Sequence, residues 1–467
     1  MPRLSGVFTR IKYVRRHSEA RTGGLPACNV LQWRGMSESI VITGMGVVSP
    51  IGCTVERFWD SLYAGRSGAA PVDGLDTSEL SRKIACQVRE PIDSVGRAMP
   101  AATSDDPPAG EARPTNSPAS FPRIIPQKAT KGEALPGRAA QLAIAATRQA
   151  VESARIAPHD LNNPRAAIIV GTTMGETEFI EERLTASSDE WLNPDHMRRI
   201  LSGRPGSIAG NVAAHIGRSA SAVDLYGACA AGNMAITSAR RKLLDGRCDF
   251  AIAGGADGFS RLAFLGFMRL RVMAAEVCRP FDERRDGLFV GEGAAFFIME
   301  RESSAKARGA SIIARILGAS VACENYHPTR PHPDGDGLTR STVEALRDAD
   351  LNPSDIDYVC AHGTGTPQND AIEVVVMQKC FPRGVAFSSI KALTGHTMGA
   401  AAAMEAAACI LSLQHQTLIP TWHLDNVLQP CSLDPIKGAP RSARVRCVLN
   451  NSAGFGGYNS SVIFAAA

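Results

Sequence analysis

The chain has 467 residues, 44% hydrophobic and 21% charged, with a formal net charge of +4. That balance fits a chain able to bury a sizeable core and argues against wholesale disorder. Seven of the 50 basic residues (Arg3, Arg10, Lys12, Arg15, Arg16, Arg21, Arg34) but only one of the 46 acids, Glu19, fall within residues 1–35, so the rest is near neutral and nucleic acid is not the expected partner.

Residues 1–35 are arginine-rich and lack an apolar run, so they do not read as a secretory signal. Met36 opens MSESIVITGMGVVSP, and periodic structure follows at once. Residues 1–37 therefore read as an extension from a start placed too far upstream, or alternatively as an organelle transit peptide. Ser39–Gly46 (SIVITGMG) is β-branched, continuous and stopped by glycine, which predicts a short buried strand. Residues 52–64 look helical. Residues 98–136 break the composition with many Pro, Ala and Ser and the run Asp105–Pro108, so a mobile insertion is expected there. Helical spacing resumes over Gly137–Ala154, and Ala166–Val170 reads as a buried strand ending at Gly171.

Further on, a strand-like run reaches Tyr226 and a helix is expected over Ala230–Leu244. The second half repeats this grammar. Strands are expected at Ser311–Leu317 and Ile356–Ala361, with a helix over Leu338–Ala349 between them. An alanine-rich helix over Met398–Leu413 and final strands at Val445–Asn450 and Ser460–Phe464 follow. Apolar strands without alternation, separated by helices, point to sheets covered on both faces. Two such stretches, 38–300 and 301–467, suggest a layered α/β fold with an internal duplication.

Twelve cysteines are scattered without a C-x-x-C pair, which speaks against structural zinc and against a disulfide framework. A reducing, cytoplasmic compartment is expected, or an organelle matrix if the extension is a transit peptide. No apolar run reaches the roughly 18 residues of a membrane span; the nearest, Met398–Leu413, is interrupted by Glu405.

Four segments carry residues suited to chemistry. In Ala222–Gly232 (AVDLYGACAAG), Cys229 follows a strand and opens a helix. Small neighbours permit a tight turn there, and the positive end of the helix dipole favours a thiolate. Ala361–Pro367 (AHGTGTP) puts His362 at the carboxyl end of a strand, where it can face a cleft. Ser388–Ala400 (SSIKALTGHTMGA) puts Lys391 and His396 in one loop. Asn450–Asn459 (NNSAGFGGYN) sets glycines around Phe455, leaving the backbone free to aim its amides at a ligand. Each segment alone has an ordinary reading: a small buried cysteine, a capping histidine, a solvated lysine, a plain turn. One nucleophile with two loop histidines is nevertheless the pattern of thiol catalysis.

Together and in this order, the segments resemble the β-ketoacyl-[acyl-carrier-protein] synthases of the elongating type, condensing enzymes of the thiolase superfamily. The resemblance runs from about Ser39 to the C-terminus and fails only across 98–136. Residues 278–294 (CRPFDERRDGLFVGEGA) add to it, as do Asp370, Glu373 and Glu405, which stand near the site at the family's offsets. It implies a thiolase-like fold, two similar halves in five α-β-α-β-α layers, normally a homodimer or a heterodimer with a related subunit. It implies Cys229 as the acyl-accepting nucleophile, His362 and His396 as the paired histidines, and Lys391 beside them. The amides of Cys229 and Phe455 would form the oxyanion hole. Thr364 and Thr366 would bond the phosphopantetheine arm of an acyl carrier protein, which delivers the substrates. Phe455 would gate the acyl pocket, Met174 would approach the acyl chain, and Arg269 and Arg271 would meet an acidic carrier protein. No metal or bound cofactor is expected.

The chain departs from the family at Gly227 (usually threonine), Ala453 (often phenylalanine) and Tyr458 (often threonine), which bears on substrate preference and tilts the expectation towards a specialised polyene or polyketide pathway. Two other readings stand beside this one. A thiolase-like acyl-CoA acyltransferase would need a second cysteine near the C-terminus, where Phe455 stands and Cys447 lies outside the loop. A non-catalytic partner subunit would be expected to lack the active cysteine.

Overall fold

The computed structural model describes residues 38–92, 136–185, 187, 193–194, 200, 206–216 and 221–467. The extension over 1–37 and the insertion expected at 98–136, apart from Pro136, lie outside the described residues. Within Glu38–Ala467, which forms one unit, ten strands carry the architecture. They are β1 (Ile40–Val48), β2 (Ala166–Thr172), β3 (Ser221–Tyr226), β4 (Phe250–Asp257), β5 (Gly293–Arg301), β6 (Ala314–Cys323), β7 (Tyr358–Cys360), β8 (Ala386–Ser388), β9 (Cys447–Gly454) and β10 (Tyr458–Ala465). The principal helices are α1 (Val55–Ala64), α2 (Arg138–Ala154), α3 (Ser207–Ile216), α4 (Ala231–Leu244), α5 (Arg261–Arg269), α6 (Asp336–Asp348), α7 (Pro367–Cys380) and α8 (Ala401–His415).

Strand order reveals the duplication. The first five strands lie side by side as β3-β2-β4-β5-β1, and the second five as β8-β7-β9-β10-β6, so each half places its third, second, fourth, fifth and first strand in the same sequence. The pairing senses repeat too: β2 is parallel to β3 and β4 while β5 runs antiparallel to β4 and β1, and β7, β8, β9, β10 and β6 follow suit. The halves join where β1 pairs antiparallel with β6, from Ile40 opposite Ile316 to Ile42 opposite Ala314.

Three apolar clusters fill the spaces between layers. One, with Ala143, Ile168, Val212 and Ile252, lies between α2 and α3 and the first half of the sheet. A second, with Val359, Val374, Met377 and Leu449, lies under α6 and α7 on the second half. The largest holds Met45, Ile236, Ala403, Ile410 and Val462 and surrounds α4 and α8. Helices α2/α3, sheet, α4/α8, sheet, and α6/α7 thus make five layers. Every residue of α8 from Ala401 to Leu413 is buried, as a helix walled on all sides requires.

The strands expected from apolar runs lie within six residues of the observed ends. Strands β4, β5 and β8 and helices α3, α5 and α7 were not among the expected elements. Both β1 and β2 are buried along their whole length, which is why they read as unbroken apolar runs. Glycines in β1 let α2 come close. A Cβ on Gly46 would lie 1.9 Å from the Ala146 carbonyl oxygen. Gly46→Ala is therefore expected to destabilise the fold by about 3 kcal/mol, because backbone has to move to make room. Chemical denaturation checks this, and an unchanged midpoint would contradict the close β1–α2 contact.

Candidate active site

The nucleophile position is made by a turn between β3 and α4. Gly227 leads to Ala228, whose φ is 48°, and a 3-10 turn over Ala228–Ala230 runs into α4. A non-glycine residue in that left-handed region carries strain of about 1 kcal/mol, so the surroundings must hold it there. A Cβ on Gly227 would sit 2.4 Å from the Met234 sulfur; glycine at this departure from the family pattern therefore matches Met234. The second half repeats the device. Met398 has φ 53°, and a 3-10 turn over Met398–Ala400 runs into α8. By this register Gly399 is the counterpart of Cys229. The two helices meet closely, and a Cβ on Gly232 would lie 2.7 Å from the Ala403 nitrogen.

Cys229 is 5% exposed. Burial dominates its ionisation and pushes the pKa up to about 12, against the pull of the Lys391 cation and of the Phe455 N–H, which bonds the sulfur. Desolvation thus opposes the thiolate that the helix start favours. Phe455 follows Gly454, whose added Cβ would lie 3.1 Å from the Cys229 nitrogen, so the amides of both residues flank the sulfur.

His362 and His396 arrive from the second half. Their rings meet edge to face with centroids 5.4 Å apart. The Cys229 sulfur and one nitrogen of each ring all lie within 4.8 Å of one another. The partners of the other nitrogens fix the tautomers. His396 Nδ1 accepts the Met398 N–H at 3.2 Å. His362 Nδ1 lies 3.3 Å from Lys391 Nζ, and an ammonium can only donate. Each neutral ring therefore carries its hydrogen on Nε2. Burial first, and then the Lys391 cation, hold both pKa values well below the ordinary histidine value. The three atoms are spaced closely enough to hold a metal ion, which would need a lone pair from each ring.

Lys391 is 1% exposed and has an acceptor for each of its three hydrogens: Glu405, the His362 carbonyl and His362 Nδ1. Such a cation is tolerable only when paired and fully bonded. Glu405 is pushed up to about 7 by burial while Lys391 pulls it down. Lys391→Ala removes a positive charge beside both imidazoles, so their pKa values rise towards the ordinary value. The acid limb of the malonyl-decarboxylation profile is expected to move up by about one pH unit, with a rate loss above it of about 10- to 100-fold as His362 loses its fixed tautomer. An unmoved acid limb would deny Lys391 this electrostatic part.

The loop after β7 is held by buried carboxylates. Glu373 accepts the N–H groups of His362 and Gly363 at 2.6 and 2.7 Å. Asp370 accepts those of Thr364, Gly365 and Phe281. Burial raises both carboxyls, Glu373 to about 7. Thr364 and Thr366 hydroxyls bond each other at 2.9 Å.

A cavity of about 410 Å³ opens onto Cys229, His362 and His396, and its walls include Thr364, Thr366, Phe455, Ala453 and Arg271. Phe455 stacks on Phe267 of α5 with centroids 5.6 Å apart. The walls of this cavity do not include Met174, expected near the acyl chain, or Arg269, expected at the carrier protein. Met174 is half-buried with its amide bonded to Asp257, and Arg269 is exposed at the end of α5. Sequence reasoning missed two residues that hold the site together. Ser452 donates to the Cys229 carbonyl at 3.0 Å and lies 3.4 Å from His362 Nδ1. Asp257 is fully buried and accepts from Thr172 Oγ1 and from the amides of Thr173, Met174 and Gly399, tying the two halves together. Ser452 lay inside the glycine-rich run already singled out; Asp257 carries no local signal.

Two family models match the chain: "Beta-ketoacyl synthase, N-terminal domain" over residues 37–305 and "Beta-ketoacyl synthase, C-terminal domain" over residues 313–425. A 3-oxoacyl-[acyl-carrier-protein] synthase 2 of Coxiella burnetii is 32% identical over 441 residues, covering 91% of this chain and 97% of the relative. The ishigamide ketosynthase/chain length factor structure matches with a TM-score of 0.79 and 34% identity, covering 92% of this chain and 99% of that one. A type II polyketide synthase acyl-carrier protein in complex with its ketosynthase bound to the hexaketide matches with a TM-score of 0.78 and 27% identity, covering 92% and 99%.

Proposed function

The chain belongs to the β-ketoacyl synthase family, and from that premise we propose that it condenses a malonyl unit, delivered by an acyl carrier protein, with an acyl group held as a thioester on Cys229. The observation that carries this reading is the meeting of one sulfur and two neutral N–H-bearing imidazoles in a single cavity. In the first step Cys229 sulfur attacks an acyl thioester. The new S–C bond forms, the old one breaks, and the departing carrier thiol takes the proton that Cys229 gave up. The amides of Cys229 and Phe455 hold the oxyanion that appears on the way.

Malonyl-carrier protein then enters. Its bond to the carboxylate breaks, carbon dioxide leaves, and the electron pair moves onto the thioester oxygen as an enolate. His362 and His396 donate their Nε2 hydrogens to that oxygen. The enolate carbon attacks the acyl-cysteine, a C–C bond forms, and the C–S bond breaks to return the sulfur as a thiolate, which takes a proton from solvent before the next round. No step requires a metal or bound cofactor; the substrates ride on the carrier's phosphopantetheine arm.

Other parts of the reading have their own support. Acyl transfer needs Cys229 as a free thiol, which suits a reducing, cytoplasmic compartment. No helix among the described residues is long and apolar enough to cross a membrane. Among the described residues the edge strand β3 pairs on one side only and leaves Val223 and Tyr226 about half exposed, so it favours pairing with a second copy or a related subunit. The thiolase reading lacks support, since Cys447 does not line the cavity. The departures at Gly227, Ala453 and Tyr458 favour specialised polyene or polyketide assembly over housekeeping fatty-acid synthesis. Intact-mass analysis after incubation with acyl-loaded carrier protein tests the whole. One acyl group on Cys229 is expected, and its mass gives the chain length; an unmodified Cys229 under turnover would end the reading.

A further inference from the structure

We infer that Asp257, a residue of the half that carries Cys229, positions the His396 ring of the other half through the Met398–Gly399 turn, an inference that rests on the condensing reading above. Asp257 ends β4 and is 0% exposed. Four donors converge on its carboxylate. Oδ1 accepts from Thr172 Oγ1 at 2.6 Å and from the Met174 N–H at 2.9 Å. Oδ2 accepts from the Thr173 N–H at 2.8 Å and from the Gly399 N–H at 2.6 Å. Thr172 Oγ1 itself accepts the Gly175 N–H, which leaves its hydrogen for Asp257. Three of these donors belong to one loop, the turn after β2. Holding that loop needs only the first three bonds; the fourth reaches across to the other half.

The crossing leads to His396. The main chain of His396 is fixed separately, because its N–H bonds the Phe289 carbonyl at 2.7 Å and its carbonyl accepts the Gly291 N–H at 2.9 Å. The ring is oriented at Nδ1, which accepts the Met398 N–H at 3.2 Å. Met398 has φ 53°, a conformation that costs a non-glycine residue about 1 kcal/mol. Its amide therefore stays aimed at the ring only while the turn is held on both sides. On one side the Met398 side chain is buried with Phe264, Met273 and Val290. On the other, Asp257 holds the next amide. Shape adds to this, since a Cβ on Gly255 would lie 2.5 Å from the Gly399 carbonyl oxygen.

His362 is oriented differently. Its Nδ1 faces Lys391, which bonds Glu405, so its ring is set by residues of its own half. The crossing also has a mirror image. Ser452 on β9, the fourth strand of the second half, donates to the Cys229 carbonyl at 3.0 Å. Asp257 on β4, the fourth strand of the first half, accepts from Gly399, the counterpart of Cys229. Each half thus steadies the turn of the other, and at His396 that support sets the direction of a reacting N–H.

Malonyl-carrier decarboxylation in a double-variant cycle tests this. Asp257→Ala leaves space for water, which can bond the freed donors without fixing Gly399. It is expected to slow decarboxylation about 10- to 100-fold, the cost of a ring displaced by about 1 Å. The same loss is expected on the His362→Ala background, but less than about threefold on the His396→Ala background, where no ring is left to misplace. Asp257→Asn should recover most of the rate, since its amide oxygen can still accept from Thr173 and Gly399. Its remaining loss is expected to be about threefold and again to require His396, so it carries the test should Asp257→Ala fail to fold. Equal losses on the two histidine backgrounds, in whichever variant folds, would overturn the inference and leave Asp257 a general support of the site. A wild-type rate in Asp257→Ala would overturn it too. The condensing reading is judged apart from the variants, on the wild type: without malonyl-carrier decarboxylation there, that reading falls and this inference with it.

Discussion

Cys229→Ser is expected to lower condensation by about 10⁴-fold or more while malonyl-carrier decarboxylation continues. The argument separates two jobs. Holding the acyl group needs a good nucleophile that is also a good leaving group, and serine is neither without an activating base. No such base faces residue 229, because both imidazoles present N–H on the nitrogen not already bonded. Losses of that size are usual when a nucleophile is removed. Decarboxylation asks only for donors at the enolate oxygen, and those sit on the other half of the fold. Carbon dioxide release together with product formation measures both rates. Their equal collapse in Cys229→Ser would place the sulfur in the decarboxylation step and refute the division.

His362→Ala and His396→Ala are each expected to slow decarboxylation by about 10²- to 10³-fold, the usual cost of one donor lost from a charge-stabilising pair. The two should differ in stability. His396→Ala empties one acceptor of the Met398 amide. His362→Ala takes an acceptor from the buried Lys391 cation, and an under-bonded buried charge destabilises by about 1–3 kcal/mol. His362→Asn and His396→Asn should recover part of the rate, since an amide side chain also donates. Acylation of Cys229, followed by mass, should survive in all four variants. Wild-type decarboxylation in either alanine variant would defeat the proposed enolate stabilisation.

Much of the fold was legible where burial on both faces erased alternation. The runs SIVITGMG and AAIIV announced β1 and β2 for that reason. Phe250–Asp257 and Gly293–Arg301 were harder, because glycine and alanine dilute their β-branched content. Helix α7 was hidden because Asp370 and Glu373 turn inward to bond loop amides, which blurs the usual polar face. The site residues Cys229, His362, Lys391 and His396 were legible from spacing and resemblance together. What sequence did not carry was their electrostatics. The helix start at Cys229 suggested a thiolate, yet burial opposes it, and burial depends on packing between halves far apart along the chain. The tautomers escaped for the same reason, since they follow from one backbone amide and one ammonium. Met174 was carried over by resemblance alone.

The repeated turn before α4 and α8 has a consequence for stoichiometry. Gly399 holds the place that Cys229 holds in the other half, and a Cβ there would lie 2.6 Å from Thr172 backbone. No side chain, let alone a second sulfur, fits that corner. Labour is therefore divided within a symmetrical frame: one half loads the electrophile, the other generates the carbon that attacks it. Titration with acyl donor should end at one equivalent per chain, and neither half on its own could complete a cycle.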